Sequence, residues 1–160
     1  MLKQLSEAPG TPLVLGFAGL VPFFAGAFAI ALGGQAAQQA AGFLPVYAAV
    51  ILSFLAGGRW TAEIVLRADA PRTGVLLLAV ALSLSGWFAV LLQGWNRPEL
   101  PMDAELVGWG ILIAGFVIQY LWDRGAVRGA TLPRWYLPVR LVLTLGAVIS
   151  LGAALAIRAM

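Results

Sequence analysis

The chain reads as an all-α polytopic membrane protein, a bundle of five transmembrane helices with the N-terminus in and the C-terminus out. Five long apolar blocks, at about 12–32, 41–58, 74–92, 104–122 and 135–157, carry that reading, together with the short charged loops that cut them. Each block is close to the ~20 residues a helix needs to cross ~30 Å of hydrocarbon. Lipid cannot solvate backbone N–H and C=O groups, so spanning segments are helices or strands of a closed barrel. The blocks lack the alternating polar and apolar positions of a barrel wall. The third observation is charge placement. Lys3, Arg59, Arg67, Arg72, Arg124, Arg128, Arg134 and Arg140 fall on one side of the predicted spans, against Arg97 and Arg158 on the other. The positive-inside rule then sets the orientation.

Composition bounds the rest. The 160 residues are 61% hydrophobic and 11% charged, with a mean hydropathy of +0.92. One integral membrane domain, 1–160, uses the whole length and leaves no room for a separate soluble domain. The net charge of +3 does not point to nucleic acid, because the basic residues sit beside membrane spans. There they report topology and contact with membrane lipids, anionic ones included. The chain has no Cys and no His. That excludes disulfides, thiolate chemistry, Cys/His zinc sites, His-ligated haem and imidazole acid–base catalysis. No metal and no cofactor is expected. Aromatic residues at the inner interface could hold a quinone, but nothing in their spacing identifies one.

Along the chain, the first block follows a nearly uncharged N-terminus and exceeds a usual signal-peptide h-region, so it is read as an uncleaved span. Pro22 lies inside it, cannot donate to the carbonyl of Ala18, and should kink the helix. Gln35, Gln38 and Gln39 read as a short polar outer loop, and Asn96, Arg97, Pro98, Glu99 and Pro101 as an ordinary turn. Trp87, Trp95, Trp109, Trp122, Trp135 and Tyr136 lie near span ends, as an aromatic belt would. Small residues mark close helix contacts: Gly16, Gly19 and Gly26 in the first span, and Gly146, Ser150 and Ala154 at four-residue spacing in the last. Those contacts could serve the bundle, a homo-oligomer or a membrane-protein partner.

The candidate site is a cluster of charge and aromatic residues at the inner ends of the helices: Arg59, Trp60, Glu63, Asp123, Arg134, Trp135, Tyr136 and Arg140. If the second helix continues past Trp60, then Arg59, Glu63 and Arg67 form one stripe at i,i+4 spacing. Pro138 suits the first turn of the last helix, which puts Arg140 about one turn inside the membrane edge. Charges at that depth must be paired or reach water. Glu63 and Asp123 are the expected partners of Arg59 and Arg140, as a clamp joining three helices. Alternatively the arginines line an inward-opening pocket and hold a lipid phosphate or another anion.

Four segments carry a family resemblance: Gly19 through Phe24, Tyr47 through Trp60, Tyr120 through Asp123, and Leu132 through Tyr136 with Arg140 through Thr144. Together they resemble an uncharacterised domain-of-unknown-function family of five-span inner-membrane proteins, the one that includes mitochondrial transmembrane protein 69. The resemblance implies a compact helical unit in the bacterial inner (cytoplasmic) membrane, or in the mitochondrial inner membrane for a eukaryotic chain. It supplies no reaction and no substrate.

Three functions compete. A non-catalytic accessory, assembly or lipid- or anion-binding membrane protein fits the small size and the few polar residues within spans. A small transporter or channel, as an oligomer for instance, needs a polar path, for which the span middles offer Ser53, Ser83, Ser85, Gln119, Thr144 and Ser150. An enzyme acting on a lipid is least supported, because no acidic pair at ligand spacing and no nucleophile–base pair is present on the inner side.

Overall fold

Proline and glycine chemistry shapes the first third of the chain. The computed structural model describes residues 7–94 and 103–160. The first span is not one kinked helix but two: α1, Gly10–Ala18, and α2, Val21–Leu32. Pro22 sits in the first turn of α2, where its missing N–H costs little. The break therefore falls at Gly19-Leu20, ahead of Pro22. There the Leu20 N–H donates to the Phe17 carbonyl at 3.0 Å. The Gly19 carbonyl accepts from the Tyr47 hydroxyl of the next helix at 2.8 Å. A neighbouring side chain thus satisfies a carbonyl that the break leaves over, as membrane interiors require.

The turn into the second span is tighter than expected. Gly33 and Gly34 take φ values of +77° and +67°, a left-handed conformation in which glycine alone is at ease. The helix α3 then runs unbroken over Gly34–Leu66. Gln35, Gln38 and Gln39 belong to its first turns rather than to a loop, in keeping with the good helix propensity of glutamine. At its other end α3 continues eight residues beyond Gly58, about 12 Å, and carries the Arg59/Glu63 stripe with it. The remaining helices are α4, Thr73–Gln93, α5, Ala104–Arg128, and α6, Tyr136–Arg158. With α1 and α2 taken together, five helical segments among the described residues are long and apolar enough to cross a membrane. Asp103 caps α5 by accepting from the Glu105 N–H at 2.9 Å. Lys3, Trp95 and the predicted turn from Asn96 to Pro101 lie outside the described residues.

Sequential helices pack side by side, α6 closes back on α2, and α3 meets α5 across the bundle. Phe23, Leu44, Leu52, Trp109, Leu112, Phe116 and Leu151 form the core, each no more than 2% exposed. Phe17, Phe28, Phe43, Phe54, Leu84, Trp87 and Ile149 point outward, the inverse of a soluble protein and the normal dress of a lipid-facing surface. Trp109 departs from the aromatic-belt expectation: it is fully buried between helices, because α5 is the element enclosed by α3, α4 and α6. The small-residue stripe Gly146, Ser150 and Ala154 is buried inside the bundle, with Leu20 packed where a Gly146 side chain would be. These residues therefore serve the internal packing.

α4 and α5 approach closely at Gly108. A Cβ at Gly108 would stand 2.6 Å from the Ala89 carbonyl oxygen, a backbone atom that cannot step aside. Gly110, two residues on, has open space around it. Gly108→Ala is expected to lower stability by about 1–3 kcal/mol, the usual cost of overpacking, while Gly110→Ala is neutral or slightly stabilising through helix propensity. Thermal unfolding of the detergent-solubilised variants checks both, and equal behaviour of the two would contradict the packing.

Candidate functional site at the basic end

Three helices bring their charges together at one end of the bundle. Arg59 comes from α3, Asp123 from α5 and Arg140 from α6. Asp123 is wholly buried, and the two arginines are 7% and 4% exposed. Arg140 Nε donates to Asp123 Oδ2 at 3.0 Å. Arg59 Nε lies 3.7 Å from Asp123 Oδ1, within ion-pair range but beyond a hydrogen bond. The same oxygen accepts from Gln119 Nε2 at 3.1 Å, one helical turn away on α5. The Arg59 guanidinium also stacks over the Trp122 ring at 4.6 Å, a cation–π contact that a planar guanidinium suits.

Glu63 does not share in this cluster as expected. It is buried, yet its partners are Arg72 and Arg67. Arg72 grips it three ways: its backbone N–H and Nε donate to Oε1 at 2.9 and 2.8 Å, and Nη2 donates to Oε2 at 2.6 Å. Arg67 Nε stands 3.5 Å from Oε1. Arg72 is the residue that opens α4, so the carboxylate caps a helix N-terminus, where negative charge is favoured. The hydrogen bonds to Glu63 hold the Arg72 guanidinium above its ordinary pKa. The pairing ties the α3–α4 connection to the end of α3. Sequence spacing pointed to Arg67 at i,i+4 but gave no sign of Arg72, which folds back from beyond the turn.

The other candidate residues are more peripheral. Trp135 and Tyr136 are half-buried and meet edge-on at 6.1 Å. Trp60 is 37% exposed and lines a groove with Phe54, Thr61 and Val65. Arg134 is exposed in the α5–α6 connection. Two residues escaped sequence reasoning. Gln119 is the neutral partner of Asp123, and Arg72 is the main partner of Glu63. The i,i+4 spacing of Gln119 and Asp123 was the only available signal for either.

The arrangement leaves positive charge over. In the two constellations Arg59, Arg67, Arg72 and Arg140 face only Asp123 and Glu63. Arg59 Nε and Arg140 Nη2 are buried with no hydrogen-bond partner. A pocket of about 250 Å³ opens beside Arg59, lined also by Arg67, Arg72, Trp122, Gly125 and Thr131. At the opposite end of the bundle Glu105 and Arg158 form an exposed bidentate pair, with Nε to Oε1 at 2.9 Å and Nη2 to Oε2 at 2.7 Å.

Comparison with known proteins agrees with this architecture. The chain belongs to the family described as protein of unknown function (DUF3429), which matches residues 8–156. It is 33% identical over 155 residues to Transmembrane protein 69 of Xenopus tropicalis, covering 96% of this chain and 57% of that protein. The chain thus spans little more than half the length of that relative. No solved structure matches.

The two ion pairs at the ends of α5 and α6 are expected to differ in worth. Asp123→Ala strands two buried guanidinium groups and should destabilise the protein by about 3–5 kcal/mol. Glu105→Ala breaks an exposed pair and should cost less than about 1 kcal/mol. Denaturation of both variants in the same detergent checks the contrast; a similar loss for each would contradict the burial argument.

Proposed function

We propose that this multi-pass membrane protein of a family without assigned function is a non-catalytic anion-binding protein, which holds the phosphate of an anionic lipid headgroup at its basic end. The observation that carries the reading is the excess of arginine over carboxylate at this end, Arg59, Arg67, Arg72 and Arg140 against Asp123 and Glu63, with Arg59 Nε buried and without a hydrogen-bond partner. A buried charge without a counter-charge is costly, and an arginine-lined pocket is well suited to phosphate, which accepts two parallel N–H bonds from a guanidinium. The pocket beside Arg59, Arg67 and Arg72 is large enough for a phosphate group and lies at the helix ends, where lipid headgroups lie. We place this end on the cytoplasmic face of a bacterial inner membrane, or the matrix face of a mitochondrial one, on the charge asymmetry of the loops.

A small transporter is the second reading, and one observation favours it. Gln119 Oε1, Thr144 Oγ1, Ser150 Oγ and Trp109 Nε1 are buried without partners on α5 and α6. Buried polar atoms of this kind are normally met by water, and a row of them between the two ends could carry a polar solute.

Native mass spectrometry of gently extracted protein tests the first reading. The wild type is expected to retain an anionic phospholipid. Arg59→Ala and Arg67→Ala should each reduce that occupancy about tenfold, the worth of one charge-assisted hydrogen bond. Asp123 keeps Arg140 in the first variant, and Arg67 is largely exposed in the second, so both should fold. Retention undiminished in both would contradict the site. For orientation, the absence of native cysteine makes Asp69→Cys, in the exposed α3–α4 connection, a clean reporter. In intact bacterial cells a membrane-impermeant maleimide should leave it unlabelled until the cells are opened; labelling of intact cells would reverse the assignment.

A further inference from the structure

Each of the two arginines that Asp123 pairs with borders a different pocket. The rim pocket opens beside Arg59. Arg140 borders a second, separate cavity of about 140 Å³, whose lining otherwise comes from apolar residues and glycines, among them Leu15, Leu20, Phe23, Phe54, Phe116 and Leu143. Arg140 is the single charged group in that lining, and it is 4% exposed. Its Nε is committed to Asp123 at 3.0 Å, while its Nη2 is buried without an acceptor. A guanidinium that borders an apolar hollow carries about five N–H donors, and the hydrogen bond to Asp123 uses one of them.

The hollow opens sideways. Leu15 of α1 and Phe54 of α3, both in its lining, are 66% and 74% exposed, on the surface that meets acyl chains. Leu15 lies six residues into α1 and Arg140 five into α6, so both sit about 6–8 Å inside the helix ends. A molecule entering there comes from within the bilayer, from just under the headgroups. The volume is close to the roughly 150 Å³ of an apolar cavity that holds a benzene ring. It admits one small head and a few methylenes, but not a glycerophospholipid with two chains.

We propose that this cavity binds a single-chain carboxylate amphiphile, a free fatty acid drawn laterally from the membrane. The carboxylate accepts from the Arg140 guanidinium. The first methylenes lie against Phe23, Phe116 and Leu143, and the rest of the chain leaves over Leu15 and Phe54 into lipid. An anion is preferred to a neutral carbonyl because Asp123, a single carboxylate, is shared between Arg59 and Arg140. The proposal rests on the same surplus of arginine as the headgroup reading but uses a different pocket, so the two fail separately. Of the four arginines, Arg59, Arg67 and Arg72 line the rim pocket and Arg140 lines this one.

The test uses the 160-residue chain in zwitterionic nanodiscs, a diazirine-bearing palmitate, and mapping of the photolabelled peptides. Label is expected on α1 and α3 around Leu15 and Phe54, competed by palmitate and not by its methyl ester. Leu15→Trp, an exposed substitution that plugs the mouth, should cut labelling about tenfold. Arg140→Gln should abolish it, and Arg67→Ala should leave it intact while weakening headgroup retention. Labelling unchanged by Leu15→Trp, or spread evenly over the lipid-facing helices, would overturn the site. Equal competition by the methyl ester would overturn the carboxylate and leave a neutral acceptor as occupant. The Leu15→Trp arm stands even if Arg140→Gln fails to fold.

Discussion

A single buried carboxylate joins three helices, and the basic half of the bundle depends on it. Asp123 on α5 draws Arg59 of α3 and Arg140 of α6 to one point, with Gln119 closing the remaining side. The chain cannot dispense with this carboxylate once the arginines are in place. Two guanidinium groups stranded in an apolar bundle would each face a desolvation cost of several kcal/mol, more than a few side-chain contacts restore. The apolar positions, by contrast, are many and individually replaceable. Helices in lipid gain little from hydrophobic burial against one another, so packing and polar contacts decide which faces meet. The glycines at 108, 115 and 146 allow the approach; Asp123 sets which residues stand level with one another.

That register reappears at the other end. Going from Asp123 to Glu105 is 123 − 105 = 18 residues along α5, and from Arg140 to Arg158 is 158 − 140 = 18 along α6. Eighteen residues make about five turns and about 27 Å, so both members of each pair return to the same face of their antiparallel helices. The separation is close to the ~30 Å hydrocarbon thickness of a bilayer. The two pairs therefore bracket the hydrocarbon, one buried among helices and one at the surface, and they fix α5 against α6 in translation. A slip by one turn would break both at once. The partnerless hydroxyls of Thr144 and Ser150 and the Gln119 carbonyl all fall between these brackets.

Much of this was legible in the sequence because lipid permits so few solutions. Five apolar blocks had to be five helical spans, and five helical segments of that kind are present among the described residues. Arg59, Asp123 and Arg140 stood out because charge near an apolar block needs a partner. What stayed hidden was pairing between distant segments. Periodicity on one helix finds Arg67 beside Glu63, yet Arg72 reaches Glu63 only because the turn at 67–72 reverses the chain. Nor does it tell a Trp in the headgroup belt from Trp109, whose burial follows from α5 being enclosed. Hydropathy placed a loop at Gln35–Gln39, although glutamine is as content in a helix as in a turn; the backbone conformation of Gly33 and Gly34 sets the boundary instead. Pro22 signalled an interruption, but its position could not show that Tyr47 would meet the carbonyl left over.

The clamp and the binding site are not rival explanations of the charge cluster, and counting donors shows why. Two guanidinium groups carry about ten N–H donors, while one carboxylate offers about four acceptor sites. Gln119 already takes one of those with its own donor. Asp123 can neutralise one arginine and orient both, but it cannot satisfy both. A purely structural clamp would be better built from one arginine and one aspartate, or from two of each. The second arginine adds charge without adding closure, and the two nitrogens left unmet, Arg59 Nε and Arg140 Nη2, belong to residues that line separate pockets. Asp123 therefore acts as the structural anchor that makes two buried cations tolerable, and Arg59 Nε and Arg140 Nη2 are left without an acceptor among the described residues.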